Sequence, residues 1–552
     1  MLARDYKIRV FVVFLCFIML FAIIAIRLFL IQIRQKNFFK VLAKHQYELE
    51  ITLNPPRAFI YDSSGRFPLA FNREVPSAFI VPHQLATPDK TLSFLKRQYP
   101  DVYQRIKQNP DKQFLWLDRK LTQQKHEKLV KLGLKDIHFI GEHQRFYPLQ
   151  AAAQVVGFTD IDNVGTAGIE LGFSKRLSGL PSRVKFEKDA RSGSFYFEKE
   201  IQRQGQRGSP VTLTVDRALQ AIAYHELRQS VETLQAKSGS VIIMDPETGH
   251  IQALANYPAF DPNQKSVPSL EMMKNNAVCE CFELGSVMKA FCALAAFEEG
   301  AVSFDEPIDC EGRYGYVDGV KIENPTITLL NRLAEKNNIL PFNEVVRYSS
   351  NVGIAKIAKR LGPRFYLHLR RLGFGTKTNI EFPGERTGFV NPPERWSRPS
   401  LIVMSFGYEL MASPIQLAKA FSVIANGGYD VQPSLIKSEE KKQTRRKLYK
   451  DQSINDMKNI MEKVCERHQM PGVRVMGKTG TARCIKDGRY SAQDHIYTFA
   501  GIVEKGDYRR VVITFVKEPA KASLWASETA LPLFAKVAER MVVHDMVHQR
   551  IG

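Results

Sequence analysis

Residues 10–33 are apolar at every position except Arg27 and Gln32, a run long enough to span a bilayer as one helix. Arg4, Lys7 and Arg9 precede it, and basic residues on that flank predict a cytoplasmic N terminus and an exported remainder. The length of the run and the lack of a small-residue cleavage site predict an uncleaved anchor rather than a removed signal. No second apolar run of that length follows, so the rest of the chain is expected on the far side of the membrane. Residues 37–207 mix short strand-like runs such as 78–81 with charged helical stretches such as 127–132, and they carry no catalytic constellation. The Gly-rich, charged stretch 202–208 then reads as a connection.

Beyond it the pattern changes. Residues 211–215 read as a strand, 216–234 as a helix, and 240–245 as a buried strand that turns at 246–249 into a hairpin with 250–255. Apolar helices are expected over 287–297 and 354–361, strands over 473–476, 497–503 and 510–516, and a closing helix over 528–543. Strands at both ends with helices between them predict an α+β domain whose sheet is completed by the C terminus. The expected organisation is a tail (1–9), a transmembrane helix (10–33), a mixed pedestal (37–207) and a catalytic domain (208–552). No internal repeat is evident.

At 552 residues and 44% hydrophobic, the chain can bury a large core and is not a disordered protein. A formal charge of +21 suits work beside anionic lipids and an anionic wall polymer. Nucleic acid is not expected as a partner. The cations are scattered over an exported chain, and their densest group, Lys441, Lys442, Arg445, Arg446 and Lys447, reads as a solvated loop. The seven cysteines show no paired C-x-x-C spacing, which argues against a zinc site and leaves buried free thiols as the expectation.

Three short segments carry the chemistry: Ser286-Val287-Met288-Lys289, Ser349-Ser350-Asn351 and Lys478-Thr479-Gly480. Singly they are weak. S-x-x-K recurs at 93–96, 434–437 and 438–441, and S-x-N at 453–455. Ser286 alone could be an N-cap, Ser349 to Asn351 a helix start, and Lys478 to Gly480 a turn with an exposed lysine. Their order and context decide otherwise. Ser286 follows Gly285 and opens an apolar helix, and three residues on, Lys289 shares its helix face, so the amine can reach the hydroxyl. A serine hydroxyl needs a base, and Lys289 can serve if burial and the nearby cation Lys478 keep it neutral. Ser349 could relay a proton to a leaving amine while the Asn351 amide donates to and accepts from a peptide bond. Gly477 and Gly480 permit close backbone approach, so a peptide could dock beside this strand with Lys478 and the Thr479 or Thr481 hydroxyl on its carboxylate.

These residues resemble a class B penicillin-binding protein, a membrane-anchored D,D-transpeptidase of peptidoglycan synthesis. The likeness extends to 244–249 (Met-Asp-Pro-Glu-Thr-Gly), 257–263, Phe374-Gly375, Gln416-Leu417-Ala418 and 425–428. In the pedestal it extends to Arg57, Asp62, Gly65, 145–148 (Arg-Phe-Tyr-Pro) and 165–170. The resemblance implies a serine β-lactamase-like fold in which an antiparallel sheet is flanked by helices. It further implies that Ser286 attacks the penultimate D-Ala carbonyl of a stem peptide, with the backbone N–H groups of Ser286 and Thr481 as oxyanion hole. An amine then takes the acyl group, and no metal or organic cofactor is required. β-Lactams are implied as covalent inhibitors.

Residues 282–286 and 349–353 look like the septal, cell-division branch more than the elongation branch. Leu284, Val287-Met288, Asn276 and Ala58 depart from the family's usual residues. Glycan-polymerising motifs are not seen. The implied partners are therefore nascent or lipid-linked peptidoglycan, a glycan polymerase of the shape, elongation, division and sporulation (SEDS) family, and other division proteins. Rival readings are an elongation enzyme, a β-lactamase, a β-lactam sensor, a dead scaffold and a D,D-carboxypeptidase. The pedestal disfavours the β-lactamase, the short tail before the span disfavours the sensor, and the intact motifs disfavour the scaffold. Water in place of an acceptor amine is not readable from sequence.

Overall fold

The computed structural model describes residues 2–53, 55–112, 114–188, 195–264, 268–324, 326–437, 445–521 and 524–548. An α-helix, Leu2–Phe29, continues through a π turn at Leu30–Arg34. No glycine or proline interrupts it. Its stretch Tyr6–Arg34, with a mean hydropathy of 2.9 in its most apolar window and none of that window buried, is long and apolar enough to cross a membrane.

The chain forms two compact units, Met1–Pro56 with Ser178–Gly208, and Arg57–Leu177 with Ser209–Gly552. The stretch expected as one pedestal, 37–207, is thus divided between them. In the first unit Glu48–Leu53, Ser182–Lys188 and Phe195–Arg203 form an antiparallel sheet of their own. In the second, residues 57–177 are built on a long strand, Pro68–Ile80, which pairs with Ile60–Tyr61, Leu115–Asp118 and His138–Phe146. Ala78, Ile80, Leu95, Ile106, Leu117 and Leu129 pack a small core under the helices Pro88–Gln98, Pro100–Gln108 and Gln123–Lys131.

This part shares a core with the catalytic domain, because Ile60, Leu69, Val155 and Ile169 join one cluster with Ile242, Leu254 and Leu294. Polar contacts fix the junction. The Tyr147 amide donates to Asn263 Oδ1 at 2.9 Å, Asn263 Nδ2 returns a bond to the Tyr147 carbonyl at 2.8 Å, and Gln220 Nε2 reaches the Ala151 carbonyl at 2.7 Å.

The catalytic domain centres on an antiparallel sheet of β1 (Ser238–Met244), β2 (Ile251–Tyr257), β3 (Arg474–Lys486), β4 (Arg489–Lys505) and β5 (Tyr508–Lys517), in the order β2-β1-β5-β4-β3. Both faces are covered, so β1 reads as a continuous apolar run rather than an alternating one. Val241 and Ile243 point toward α1 (Arg217–Thr233) and the C-terminal helix Ala530–Val547, while Ile242 and Met244 point into the main core. That core holds α2 (Met288–Glu298), buried on every side until its last turns, and α3 (Asn351–Leu361), whose apolar face packs on it. Asp216 caps α1 through the amides of Ala218 and Leu219. Arg445 of the basic loop bonds the Glu247 carboxylate in the turn between β1 and β2; Lys441 and Lys442 lie outside the described residues.

Glu170 is fully buried. Its carboxylate takes Arg57 Nε on one oxygen and Arg145 Nε, at 2.6 Å, on the other, and both arginines are buried. Removing one member of such a set strands the rest in low dielectric. Glu170→Ala is therefore expected to destabilise the protein by about 3–5 kcal/mol, read as a lower Tm or urea midpoint. A change of under about 1 kcal/mol would show that the two guanidiniums rearrange onto other acceptors.

Candidate active site

Ser286 lies on a 3-10 turn, Gly285–Val287, at the head of α2, and no side-chain bond caps that helix. The capping role belongs to a different serine: Ser350 Oγ accepts from the Gly353 amide at 3.0 Å and starts α3. Ser349, one residue earlier, has a left-handed φ of +65°, uncommon for a residue with a Cβ. That conformation accompanies a carbonyl aimed at Lys289. Lys289 Nζ donates to Ser349 O at 2.6 Å and to Ser349 Oγ at 2.9 Å, and it makes no hydrogen bond to Ser286. The expected contact along the helix face is thus replaced by one across to the loop before α3, because a fully buried amine needs acceptors and Ser349 supplies two.

Lys478 Nζ, from β3, reaches the same Ser349 Oγ at 3.2 Å and the Thr479 carbonyl at 3.4 Å. Two buried lysines therefore converge on one hydroxyl. Lys289 is held well below the usual lysine range, first by burial and then by the Lys478 charge. Burial lowers Lys478 to about 8. Asn351 opens α3 and directs its Nδ2 to the Glu323 carbonyl at 2.7 Å, while Asn324 Oδ1 accepts from Ser350 Oγ and the Asn351 amide.

β3 is the edge strand of its sheet, and Lys478, Thr479, Gly480 and Thr481 lie within it. It presses on the turn that holds Ser286. A Cβ at Gly480 would stand 2.5 Å from the Leu284 carbonyl oxygen, and one at Gly285, whose φ is +58°, would stand 2.3 Å from the Thr481 carbonyl oxygen. Only glycines allow this approach. Behind the turn, buried Glu283 accepts from Tyr490 OH and the Glu409 amide, both at 2.9 Å, and burial pushes its carboxyl upward.

Ser286, Ser349, Asn351, Thr479 and Thr481 line one open cleft of about 440 Å³. Sequence reading missed the rest of its wall, which includes Ile327, Tyr408, Arg483, His495 and Trp525. Arg483 was within reach of the period-2 rule, since it follows Thr479 and Thr481 on one strand face and stands opposite His495. Tyr408 and Trp525 sit on connections without a motif.

Residues 239–539 match the penicillin binding protein transpeptidase domain and residues 52–213 the penicillin-binding protein dimerisation domain. The chain belongs to the class B penicillin-binding protein family. Among its relatives, the probable peptidoglycan D,D-transpeptidase PenA of Neisseria meningitidis is 31% identical over 96% of this chain and 91% of its own length. Peptidoglycan D,D-transpeptidase FtsI of Escherichia coli is 29% identical over 87% of this chain and 82% of its own. Penicillin binding protein 3 of Mycobacterium tuberculosis shares the fold, with a TM-score of 0.67 at 24% identity over 90% of this chain and 98% of that one. The enzyme described here is accordingly a serine-type peptidoglycan D,D-transpeptidase.

The tight seat of β3 yields a test. Gly480→Ala forces β3 away from the Ser286 turn, so acylation of the protein by penicillin should slow about 10²-fold, the scale of a lost oxyanion contact, with the fold retained. Stopped-flow acylation and circular dichroism check both parts.

Proposed function

We propose that Ser286 is the nucleophile, Lys289 its base, Ser349 a proton relay and Lys478 the cation that holds the substrate carboxylate. The observation that carries this reading is the convergence of Lys289 and Lys478 on Ser349 Oγ. Lys289, buried and paired with no carboxylate among the described residues, favours the neutral amine and can take the Ser286 proton as Oγ attacks the penultimate D-Ala carbonyl. Negative charge on that carbonyl oxygen falls to the backbone N–H groups of Ser286 and Thr481. The proton passes from Lys289 through Ser349 Oγ to the departing D-Ala nitrogen as the C–N bond breaks, leaving an ester on Ser286. An amine of a second stem peptide attacks the ester and loses its proton to Lys289, which returns it to Ser286 Oγ as the ester C–O bond breaks. That step forms the new amide and frees Ser286.

The edge of β3 can accept the donor peptide as an added strand, with Thr479 and Thr481 toward its terminal carboxylate and Asn351 on the next peptide unit. β-Lactams, which carry a carboxylate and a strained amide, would acylate the same serine. Homologous crystals with aztreonam and ampicillin are in keeping with this.

The helix Tyr6–Arg34 would anchor the enzyme once, N terminus in the cytoplasm, with the catalytic domain beyond the membrane. Residues 282–286 and 349–353 support a septal role beside a SEDS polymerase and other division proteins.

Four outcomes test the reading. Ser286→Ala should abolish fluorescent-penicillin labelling with the Tm unchanged, and peptide mapping of a labelled variant to another serine would reject the nucleophile. Acylation should follow a bell-shaped pH profile. It falls at low pH as Lys289 gains its proton, and it falls again above about 8 as Lys478 loses its own. Lys478→Arg, whose guanidinium stays charged, should remove the alkaline limb. In cells, depletion should give filaments by microscopy, whereas round cells would place the enzyme in side-wall growth.

A further inference from the structure

We propose that the hairpin of Tyr314–Val317 and Val320–Glu323 binds the glycan backbone of the strand whose peptide enters the cleft. The proposal rests on the transpeptidase reading. The two strands pair antiparallel, Tyr314 opposite Glu323 and Tyr316 opposite Lys321. One face is committed to the protein: Val317 and Ile322 pack with Val352 and Ala355 of α3 and with Ile402. A Cβ at Gly315 would stand 2.7 Å from Val352, so the hairpin lies tightly on the helix that presents Asn351. The Glu323 carbonyl accepts from Asn351 Nδ2, which locks the hairpin to the rim of the cleft.

The other face is exposed apart from Arg313 and Lys321 beside the Tyr314 ring and the Arg313–Glu323 ion pair. Tyr314 is 45% exposed and Tyr316 59%, and as alternate residues of one strand they lie side by side about 7 Å apart. Lys321 Nζ stands 4.3 Å from the Tyr314 ring centroid, and Ile327, 76% exposed, continues the surface into the cleft lining. The occupant follows from chemistry and place. A pyranose offers a flat face of C–H groups edged by hydroxyl and acetamido oxygens. The C–H face suits the electron-rich face of the Tyr316 ring, and the edge suits the Lys321 ammonium, which stands over the Tyr314 ring, and the tyrosine hydroxyls. A stem peptide in the cleft is covalently tied to such a sugar, so its arrival brings the glycan to this rim.

The test uses the full-length protein in detergent and two probes, glycan strands stripped of peptide by amidase and a monomeric stem-peptide thioester. Wild type should bind the stripped glycan. Tyr314→Ser with Tyr316→Ser should weaken that binding at least about tenfold and lower cross-linking of polymeric donor to match. Turnover of the thioester and penicillin acylation of Ser286 should not change. Tyr314→Phe with Tyr316→Phe should retain binding, since the rings remain. Equal binding by wild type and the serine variant would overturn the proposal, as would binding only of strands that keep their peptides or a parallel loss of thioester turnover. Failure of wild type to acylate Ser286 would instead overturn the transpeptidase reading, whatever the glycan result.

Discussion

An amine taken out of water without a carboxylate beside it is costly to keep charged, and the catalytic domain is arranged around that cost at Lys289. The residue sits on a helix otherwise suited to a lipid-like interior, and the acceptors it finds both belong to Ser349. Burial biases it toward neutrality. A second lysine bonded to the same hydroxyl strengthens the bias from the other side. The left-handed backbone of Ser349, the Ser350 cap and the Asn324 side chain that holds the start of α3 are the scaffolding for this contact. Charge, conformation and capping at 349–351 thus serve one end, which is to give a buried amine acceptors without giving it a counter-ion.

The part of the pedestal that shares a unit with the catalytic domain is held to it by continuous core and by paired side-chain to backbone bonds at Tyr147 and Asn263. Such a junction transmits rigid-body position and leaves the chemistry of the cleft to local groups. The Arg57, Arg145 and Glu170 cluster belongs to that mechanical role, since its members bond to one another, to neighbouring backbone and to the side chains of Asn72, Tyr147 and Ser174.

Much of this was legible in the chain. The buried strand at 238–244, the hairpin to 257, the helices at 217–233 and 288–298 and the three motifs all carry strong local signals, because apolar runs and glycine turns declare themselves within a few residues. The losses have physical causes. β3 continues through Gly477 and Gly480 to Lys486 with a buried side of Lys478, Gly480, Ala482 and Cys484, a lysine and small residues that do not read as an apolar face, and β4 begins at Arg489, eight residues before its apolar stretch, where its residues are exposed or half-buried. Pro68–Ile80 is a single strand although Pro76 argues locally against one. Ser349 was found, but not its backbone conformation or its carbonyl, since a left-handed serine is imposed by surroundings that no window contains. Tyr408 and Trp525 enter the cleft from loops, where only the folded chain decides position.

The order of the sheet carries a further meaning. β3, which completes the site, is tied to β1 only through β4 and β5, the last strands to leave the ribosome. A chain cut before Tyr508 would keep Ser286, Lys289, Ser349 and Lys478 yet lose the strand through which β4 and β3 join β1. The join between β3 and the rest of the sheet is therefore a property of the finished polypeptide, made only once the last of these strands has paired.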